Sequence, residues 1–430
     1  MIRYVDRRLV VDGIDIDRLA DVVGTPFHAY SAGTIRERHA RIVNAFDGID
    51  LGIRYAVKAC GNAAILRLLQ ELGAGFDLVS GGEYQRARRI CASPDKLVIA
   101  GVGKREDEIR SVLRDGVGVY HIESEAEFDL VSKVVAEMRA SGALHGGTLR
   151  VALRLNPDVG VDTHDYIATA KKESKFGIDF QTASGLVERI AETSAIDLCA
   201  YHVHLGSLLF EVGPYLEACK KVLAWMDEDP LRAKGVTHYD MGGGFGSGGP
   251  FSDAAIDLDA LGRGMKELLG PRRLSLLCEP GRFLVGDSGV LVTSLLYEKC
   301  GLTKDFYVVD AAMTDLIRPS LYGATHDILP VLSGGSDRAR RVDVVGPVCE
   351  SGDWLGKDRE LPQLDAGARL AVLQSGAYGM SMASNYNTRP KVAEVLCDSG
   401  RAHLISRRQP LEDLWRDECD VAVEGDFTSR

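Results

Sequence analysis

Short apolar runs rich in β-branched residues alternate with stretches of helical periodicity through the middle of the chain. Eight such runs predict strands, at residues 53–58, 76–80, 97–100, 117–122, 149–156, 198–204, 236–241 and 274–279. Strand and helix repeated in this way are typical of a parallel (β/α)8 barrel of the TIM type. We therefore predict an α/β fold, with the barrel over residues 26–284.

Helix signals between the strands support this interpretation. After the first strand, Asn62 is placed to cap a helix and Gly73 to end it, with apolar residues at helical spacing between them. After the fourth strand, Ser124 and Glu127 predict a capping box, and Gly142 marks the end of that helix.

Beyond residue 285 the pattern changes. Runs 290–296, 306–309, 342–348 and 370–373 are β-rich, with few helix signals between them. Near the start of the chain, residues 8–14 resemble a hairpin that turns at Asp12-Gly13. We predict a mostly β second domain that combines residues 1–25 with 285–430 and completes the active site.

Composition narrows the functional classes. The 430 residues are 45% hydrophobic, which is ample for a large core, and the net charge of −11 argues against nucleic acid or an anionic membrane as partner. No apolar run approaches the roughly 20 residues of a membrane helix, and no signal peptide is expected. The nine cysteines are scattered without a Cys-x-x-Cys pair, which predicts reduced thiols and a cytoplasmic protein. The His and Cys spacing predicts no metal site.

Chemistry-bearing residues collect at the predicted carboxyl ends of the strands, where barrel active sites lie. Lys58 ends an apolar run, so we expect desolvation to lower its pKa and make its amine nucleophilic toward an aldehyde. The alternative is a lysine that only extends to solvent. His204 ends the sixth strand, either as a flat ring against a flat cofactor or as a core histidine.

The last two strands add groups suited to a phosphate and a ring nitrogen. Gly242, Gly243 and Gly244 follow the seventh strand, where backbone N–H groups can surround a phosphate, and Ser207 can add a hydroxyl. Glu279 ends the eighth strand. A buried carboxylate needs a partner, which is either Arg282 or a protonated pyridine nitrogen.

Several motifs, in order, resemble those of the diaminopimelate decarboxylases, a family of fold-type III, alanine-racemase-like pyridoxal-phosphate (PLP) enzymes. The resemblance runs from residue 25 to residue 396. The barrel motifs are Tyr-Ala-Val-Lys at 55–58, Ser-Gly-Gly-Glu at 80–83, Lys-Phe-Gly at 175–177, His-Val-His-Leu-Gly-Ser at 202–207, the glycine triplet and Glu-Pro-Gly-Arg at 279–282. The β-rich part adds Asp-Leu-Ile-Arg-Pro-Ser-Leu-Tyr at 315–322, Gly-Pro-Val-Cys-Glu-Ser-Gly-Asp at 346–353, Gly-Ala-Tyr-Gly at 376–379 and Met-Ala-Ser-Asn-Tyr-Asn at 382–387.

The resemblance implies a role for each matching residue. Lys58 would hold PLP covalently, His204 would stack on its ring, and Glu279 would face its pyridine nitrogen. The phosphate would be bound by Ser207, the glycine triplet and the segment that contains Gly281 and Arg282. The distal end of the substrate would be held by Arg282, Arg318, Tyr322 and Glu350, with Cys349 handling the proton at the reacting carbon and Tyr378 near both cofactor and substrate.

The resemblance also implies an assembly and a reaction. Cys349 and Glu350 would come from the neighbouring subunit of a two-fold homodimer with two shared sites. The implied reaction is decarboxylation of meso-2,6-diaminopimelate to L-lysine, a step of amino-acid biosynthesis. An arginine at Arg318 fits this diacid, because a planar guanidinium suits a distal carboxylate that lysine and ornithine lack.

Three positions depart from the family pattern, and three alternatives accompany the main interpretation. Cys60, Ala170 and Leu208 stand where asparagine, glycine and glutamine are usual. The first alternative is a related decarboxylase for another amino acid or a carrier-bound diacid. The second, an alanine-racemase-like isomerase, is disfavoured by Glu279, because that family places an arginine opposite the ring nitrogen. The third is a PLP-fold regulator without catalysis, which the presence of Lys58 and Cys349 disfavours.

Overall fold

A computed structural model describes residues 1–160, 175–249, 251–252, 254–334 and 338–421. The chain begins with a small antiparallel sheet of β1 (Ile2–Val5), β2 (Arg8–Val11) and β3 (Ile14–Asp15). Asp12 and Gly13 both have positive φ, 47° and 86°, which is the conformation of a two-residue hairpin turn. The predicted hairpin is therefore confirmed. Helix α1 (Ile16–Val23), strand β4 (Phe27–Ser31) and helix α2 (Ala32–Ala45) follow.

Eight parallel strands close into a barrel, as predicted. They are β5 (Leu51–Ala56), β6 (Gly75–Leu78), β7 (Leu97–Ile99), β8 (Val119–Ile122), β9 (Leu149–Arg154), β10 (Ile196–His202), β11 (His238–Asp240) and β12 (Ser275–Cys278). Neighbours in the barrel are neighbours in sequence, and β12 pairs with β5 to close it. Most of the predicted strands extend one or two residues past the observed ends, so Lys58, His204 and Glu279 lie in the loops that follow their strands.

Helices follow the barrel strands and cover them. They are α3 (Ala63–Glu71), α4 (Gly81–Arg89), α5 (Glu106–Asp115), α6 (Glu125–Ala140), α7 (Phe180–Glu192), α8 (Gly213–Asp227), α9 (Pro230–Ala233), α10 (Leu258–Leu269) and α11 (Arg282–Val285). Asn62 caps α3 as predicted, accepting the Ala64 N–H at 3.0 Å. Ser124 accepts the Glu127 N–H, but the Glu127 carboxylate accepts from Glu123 rather than from Ser124, so only half of the capping box forms as predicted.

The rest of the described chain is mostly β. It contains β13 (Gly289–Cys300), β14 (Asp305–Val309), α12 (Arg318–Tyr322), β15 (Ile328–Pro330), β16 (Ala339–Val345), β17 (Trp354–Pro362), β18 (Arg369–Val372), β19 (Ala393–Asp398) and β20 (Arg401–Ser406). A mixed sheet has the order β17-β16-β14-β13-β4-β19-β20; β18 also pairs with β13, and β15 pairs with β18. The predicted β-rich part is confirmed.

Several contacts join the barrel and the N-terminal segment to the β-rich part. Strand β4 lies in the mixed sheet between β13 and β19, although it precedes the barrel in sequence and falls inside the predicted range 26–284. Tyr30 on β4 and Asn62 at the start of α3 both donate to the Glu394 carboxylate, at 2.7 and 3.0 Å. The N-terminal sheet contacts the β-rich part, where the Leu9 N–H donates to the Val331 carbonyl. Among the described helices, none has the length and apolar character needed to cross a bilayer.

Candidate active site

Lys58 lies on a cavity of about 340 Å³ at the carboxyl end of the barrel. It follows β5 in one 3-10 turn, and its Nζ is 3.1 Å from Oδ2 of Asp77 on β6. The cavity also brings together two other predicted residues, His204 and Glu279. Its lining is formed by Lys58, Asp77, Val79, Ala100, Gly101, Val102, Arg154, Phe176, His202, His204 and Glu279.

The charge state of Lys58 differs from the prediction. Burial lowers the pKa of the amine, but the nearby Asp77, Tyr378 and Glu279 outweigh burial and raise that pKa above its ordinary value. The predicted fall is therefore wrong, because the apolar sequence before Lys58 does not reveal the carboxylate on the next strand. Burial and Glu279 raise the pKa of Asp77 to about 6, so the two groups form an ion pair at neutral pH.

Glu279 is buried directly after β12, with its two oxygens in different environments. Oε2 lies 3.1 Å from Nε2 of His202. Within the described residues, Oε1 has no hydrogen-bond partner, and a buried carboxylate oxygen of this kind needs one. Arg282, the alternative partner, instead donates to Ser207 at 3.4 Å and lies over the Tyr378 ring at 4.8 Å.

Two histidines that the sequence analysis missed lie below Glu279. The rings of His121 and His202 are 4.4 Å apart, and burial lowers the pKa of both far below the usual value. Nε2 of His121 is 3.8 Å from Asp240, whose pKa is raised by burial and by Glu279. Neutral rings and a carboxyl group that favours protonation therefore surround Glu279, and of these His202 also lines the cavity.

The same histidines raise the question of a metal. Ligand atoms of His121, His202 and Glu279 all lie within 4.8 Å of one another, a spacing that would admit an ion and that the sequence did not predict. Glu279 nevertheless lines the cavity that also contains Lys58 and His204. A carboxylate beside an amine and a flat ring matches PLP better than a closed metal site.

The glycine triplet and His204 form one hydrogen-bonded unit. The N–H of Gly242 donates to Asp240 at 2.9 Å, and the N–H of Gly243 donates to Nδ1 of His204 at 3.2 Å. Burial, Lys58 and Arg154 lower the pKa of His204 far below its usual value, so the ring is neutral.

Close backbone approaches explain the glycines of this loop. A Cβ at Gly243 would lie 2.1 Å from the Glu279 carbonyl, and one at Gly244 would lie 2.2 Å from the Gly206 carbonyl. Gly281 is less restricted, since its Cβ would meet the nearest side-chain atoms at 3.2 Å. The triplet therefore allows three loops of the barrel rim to touch.

A second cavity, of about 230 Å³, lies at the junction of barrel and β-rich part. Arg282 and Arg318 line it together with Leu208, Phe210, Ser247, Gly248, Gly286, Asp287, Thr325 and Gln374. Burial and repulsion from Arg282 lower the pKa of Arg318 to about 9, while Tyr378 and Tyr322 raise it. The structure thus brings these four predicted residues together, with two cations that repel each other unless an anion joins them.

Cys349 and Glu350 are exposed and line neither cavity. The N–H of Cys349 donates to the Asn387 side chain at 2.8 Å, and the Glu350 carboxylate accepts from Gly352 at 3.3 Å. A single chain therefore does not bring these two predicted residues to Lys58.

The departures from the family pattern occupy different places. Cys60 is buried behind Lys58, and burial raises the pKa of its thiol to about 12. Leu208 has a positive φ of 61° and lines the arginine cavity. Ala170 lies outside the described residues.

Further residues of the site escaped sequence reasoning. Arg154 lines the first cavity and pairs with Glu123 at 2.9 Å, with both side chains buried. A charged residue inside an apolar run was the available signal for Asp77 in Gly-Phe-Asp-Leu and for Arg154 at the end of Val-Ala-Leu-Arg. His121 gives the same signal within Val-Tyr-His-Ile.

Comparison with known proteins agrees with this site. Residues 32–286 match the model of the family described as pyridoxal-dependent decarboxylase, pyridoxal binding domain. The chain is similar to the diaminopimelate decarboxylase of Aquifex aeolicus, at 37% identity over 98% of each chain. It is similar to that of Pseudomonas aeruginosa at 40% identity, over 96% of this chain and 98% of the other.

A solved structure extends the similarity to three dimensions. The diaminopimelate decarboxylase of Helicobacter pylori, crystallised in complex with L-lysine, superposes with a TM-score of 0.88 at 36% identity. The alignment covers 94% of this chain and 98% of that one.

Proposed function

The chain belongs to the pyridoxal-dependent decarboxylases, and we propose that it converts meso-2,6-diaminopimelate to L-lysine and CO2, a step of lysine biosynthesis. The observation that carries the choice of substrate is a pair of cations, the buried Arg318 and the half-buried Arg282, on a cavity beside Tyr378. A diamine with a second carboxylate supplies the anion that this pair needs. A cytoplasmic location, favoured by nine unpaired cysteines, belongs to the same proposal.

The residues of the first cavity fit PLP. Lys58 would anchor the aldehyde, His204 would offer a neutral ring for stacking, and Oε1 of Glu279 would accept from the protonated pyridine nitrogen that its buried position requires. We propose Ser207, Gly242–Gly244 and the Gly281–Arg282 segment for the phosphate. Gly244 is the best candidate of the triplet for binding the phosphate, since the N–H groups of Gly242 and Gly243 already donate hydrogen bonds within the chain. Bound PLP accepts the electron pair that the departing carboxylate leaves behind.

The chain's own residues then position groups and move protons. The Glu279 carboxylate would keep the ring nitrogen protonated, with His202 orienting it from the other oxygen. Asp77 holds the Lys58 ammonium at 3.1 Å. After CO2 leaves, Cys349 or Lys58 would return a proton to the reacting carbon.

Removing the partner of Lys58 should speed its reaction with the cofactor. We expect Asp77→Asn to lower the pKa of Lys58, so that more of the amine is neutral and nucleophilic at pH 7. The gain is about tenfold for each unit by which the pKa falls. The measurement is the rate of PLP association, followed by visible absorbance between pH 6 and 9, and the rate-versus-pH curve should move to lower pH.

A matched control separates this effect from a general loss of charge. Asp343→Asn removes a buried carboxylate that pairs with Lys304 at 2.9 Å in the β-rich part, and it should leave the curve in place. An unmoved curve for Asp77→Asn would contradict the assigned role of the ion pair.

Arg318 provides a test of substrate recognition. We expect Arg318→Met to raise KM for meso-diaminopimelate by about 10- to 100-fold, because it removes one charge-assisted hydrogen bond of about 1.5–3 kcal/mol. The turnover number should change much less, since the guanidinium is assigned to the end of the substrate that does not react. Steady-state kinetics check both values. A fall in turnover with an unchanged KM would place Arg318 elsewhere in the reaction.

We further propose a two-fold homodimer in which each site takes Cys349 and Glu350 from the other subunit. The support is that both side chains are exposed and line neither cavity of their own chain, while the proton and the distal ammonium need such groups. In this arrangement Glu350 would bind the distal ammonium of the substrate, and Arg282, Arg318 and Tyr322 its carboxylate.

The experiment that tests the function is a substrate panel. PLP-loaded protein is incubated separately with meso-diaminopimelate, lysine, ornithine, arginine and glutamate, and CO2 and the amino-acid product are measured. Lysine and CO2 from diaminopimelate alone are expected. Bound cofactor without turnover of diaminopimelate would contradict the proposal and favour a related decarboxylase, because Leu208 lies on the wall of the arginine cavity.

A further inference from the structure

We infer that His326 is a positioning residue that holds Arg318 in place for the distal carboxylate without neutralising its charge. This inference rests on the proposed function and adds to it a residue that determines specificity. His326 is fully buried between Arg318 and the backbone of Leu373. Its Nε2 is 2.9 Å from Nη1 of Arg318, and its Nδ1 is 2.8 Å from the Leu373 carbonyl oxygen.

The two hydrogen bonds define the tautomer of His326. A carbonyl oxygen only accepts, so Nδ1 carries the hydrogen that it donates to Leu373. A guanidinium only donates, so Nε2 must present its lone pair to Arg318. Burial and the charge of Arg318 lower the pKa of His326 to about 3, which agrees with a ring that stays neutral over the physiological range.

The backbone around His326 makes this arrangement rigid. The Leu373 N–H donates to the Asp327 carbonyl at 2.8 Å, and β15 continues from there as a neighbour of β18. Arg318 is the first residue of the short helix α12. His326 therefore connects the start of α12 to a sheet, and it fixes where the guanidinium points relative to the cavity.

A neutral acceptor has a different consequence from a carboxylate at the same place. A buried arginine usually pairs with an acidic side chain, which cancels its charge. His326 satisfies one N–H of Arg318 and leaves the positive charge to an incoming anion. Arg282, which lines the same cavity, adds a second positive charge. The pair can therefore select a ligand with a carboxylate at its far end.

Three substitutions separate positioning from packing. His326→Gln places an amide oxygen near the position of Nε2 and keeps an acceptor for Arg318. His326→Asn places its amide near the position of Nδ1, so it keeps a donor for Leu373 but loses the contact with Arg318. His326→Glu keeps an acceptor and places a negative charge directly beside the guanidinium of Arg318.

The readout is the relative affinity of the PLP-loaded protein for two ligands. Stopped-flow mixing, with the cofactor absorbance read in the binding phase before any CO2 is released, gives Kd for meso-diaminopimelate, which has the distal carboxylate, and for L-lysine, which lacks it. We expect the Gln variant to stay within about threefold of wild type for both ligands. For diaminopimelate, Kd should rise about tenfold in the Asn variant and about 50-fold or more in the Glu variant, while lysine binding stays within about threefold.

A parallel loss of lysine and diaminopimelate affinity would overturn the inference, since it would indicate a purely structural role. Wild-type affinity of the Glu variant for diaminopimelate would overturn it as well. If the Glu variant does not fold, the comparison of Asn with Gln still decides the question. Failure of the proposed function is a separate result, because it appears as absent CO2 release from wild-type protein, whereas this test measures binding alone.

Discussion

The Lys58→Ala protein should decarboxylate meso-diaminopimelate at least about 10⁴-fold more slowly than wild type, within the range of about 10⁴- to 10⁶-fold seen when one member of a catalytic unit is removed. The physical reason is that Lys58 is expected to hold the cofactor and release it to the substrate amine within one site. The carboxylate of Asp77 would then lie in the cavity without its cation, so any bound PLP would be held by its phosphate and ring alone. Single-turnover CO2 release and visible absorbance check the two effects together.

Lys304→Ala is the matched control for this variant. Lys304 forms a similar ion pair with a buried carboxylate, Asp343, and its side chain is as exposed as that of Lys58, 38% against 39%. It lies on the β-rich part, away from both cavities, so its removal should leave turnover unchanged. Substantial CO2 release by the Lys58→Ala protein would contradict the assigned anchor.

The barrel could be predicted because its strands are apolar runs in a regular alternation with helices. Most predicted strands end one or two residues after the observed ones, because the apolar pattern continues into loops that pack against the core. Val57, for example, is fully buried in the 3-10 turn after β5. Lys58 was nevertheless predicted correctly at the carboxyl end of the barrel, because an error of two residues in the strand end does not move a side chain to the other end.

Residues of the site could be predicted when their chemistry is visible along the sequence. Glu279 and His204 end apolar runs, and the glycine triplet is contiguous. Asp77 and His121 lie inside strands, and their importance depends on which strands become neighbours when the barrel closes. The sign of the Lys58 pKa shift depends on the same information, because Asp77 is 19 residues away in sequence but 3.1 Å away in space.

The role of His326 in the β-rich part could not be predicted from the sequence for the same reason. Its sequence neighbours suggest only a polar residue between a helix and a strand. Its role depends on Leu373, which is 47 residues further along the chain and reaches it through the pairing of β15 with β18.

Two inactive variants should restore each other when their subunits mix. Lys58→Ala chains still carry Cys349, and Cys349→Ala chains still carry Lys58. Cys349→Ala alone should lower turnover by about 10²-fold or more, the usual contribution of a group that transfers a proton. If each site combines Lys58 of one chain with Cys349 of the other, a mixed dimer contains one complete site and one site that lacks both residues.

The expected recovery follows from counting dimers. Equal co-expression of the two variants with random pairing makes about half of the dimers mixed, and each has one working site of two, so activity should return to about a quarter of wild type. The measurement is CO2 release by the co-expressed protein, and by mixed dimers isolated through different affinity tags on the two chains. Isolated mixed dimers should reach about half of the wild-type activity by the same count.

The control pair is Lys58→Ala with Arg318→Met. Tyr378 connects these two residues within one chain, because its N–H donates to the Ala59 carbonyl at 2.8 Å while its ring contacts Arg282 on the cavity of Arg318. In their mixed dimer, the one site that has Lys58 also has the altered residue 318, so activity at low substrate should be about half that of the Arg318→Met protein. Recovery in the control pair but not with Cys349→Ala would reverse the assignment, placing Arg318 across the interface and Cys349 within its own site.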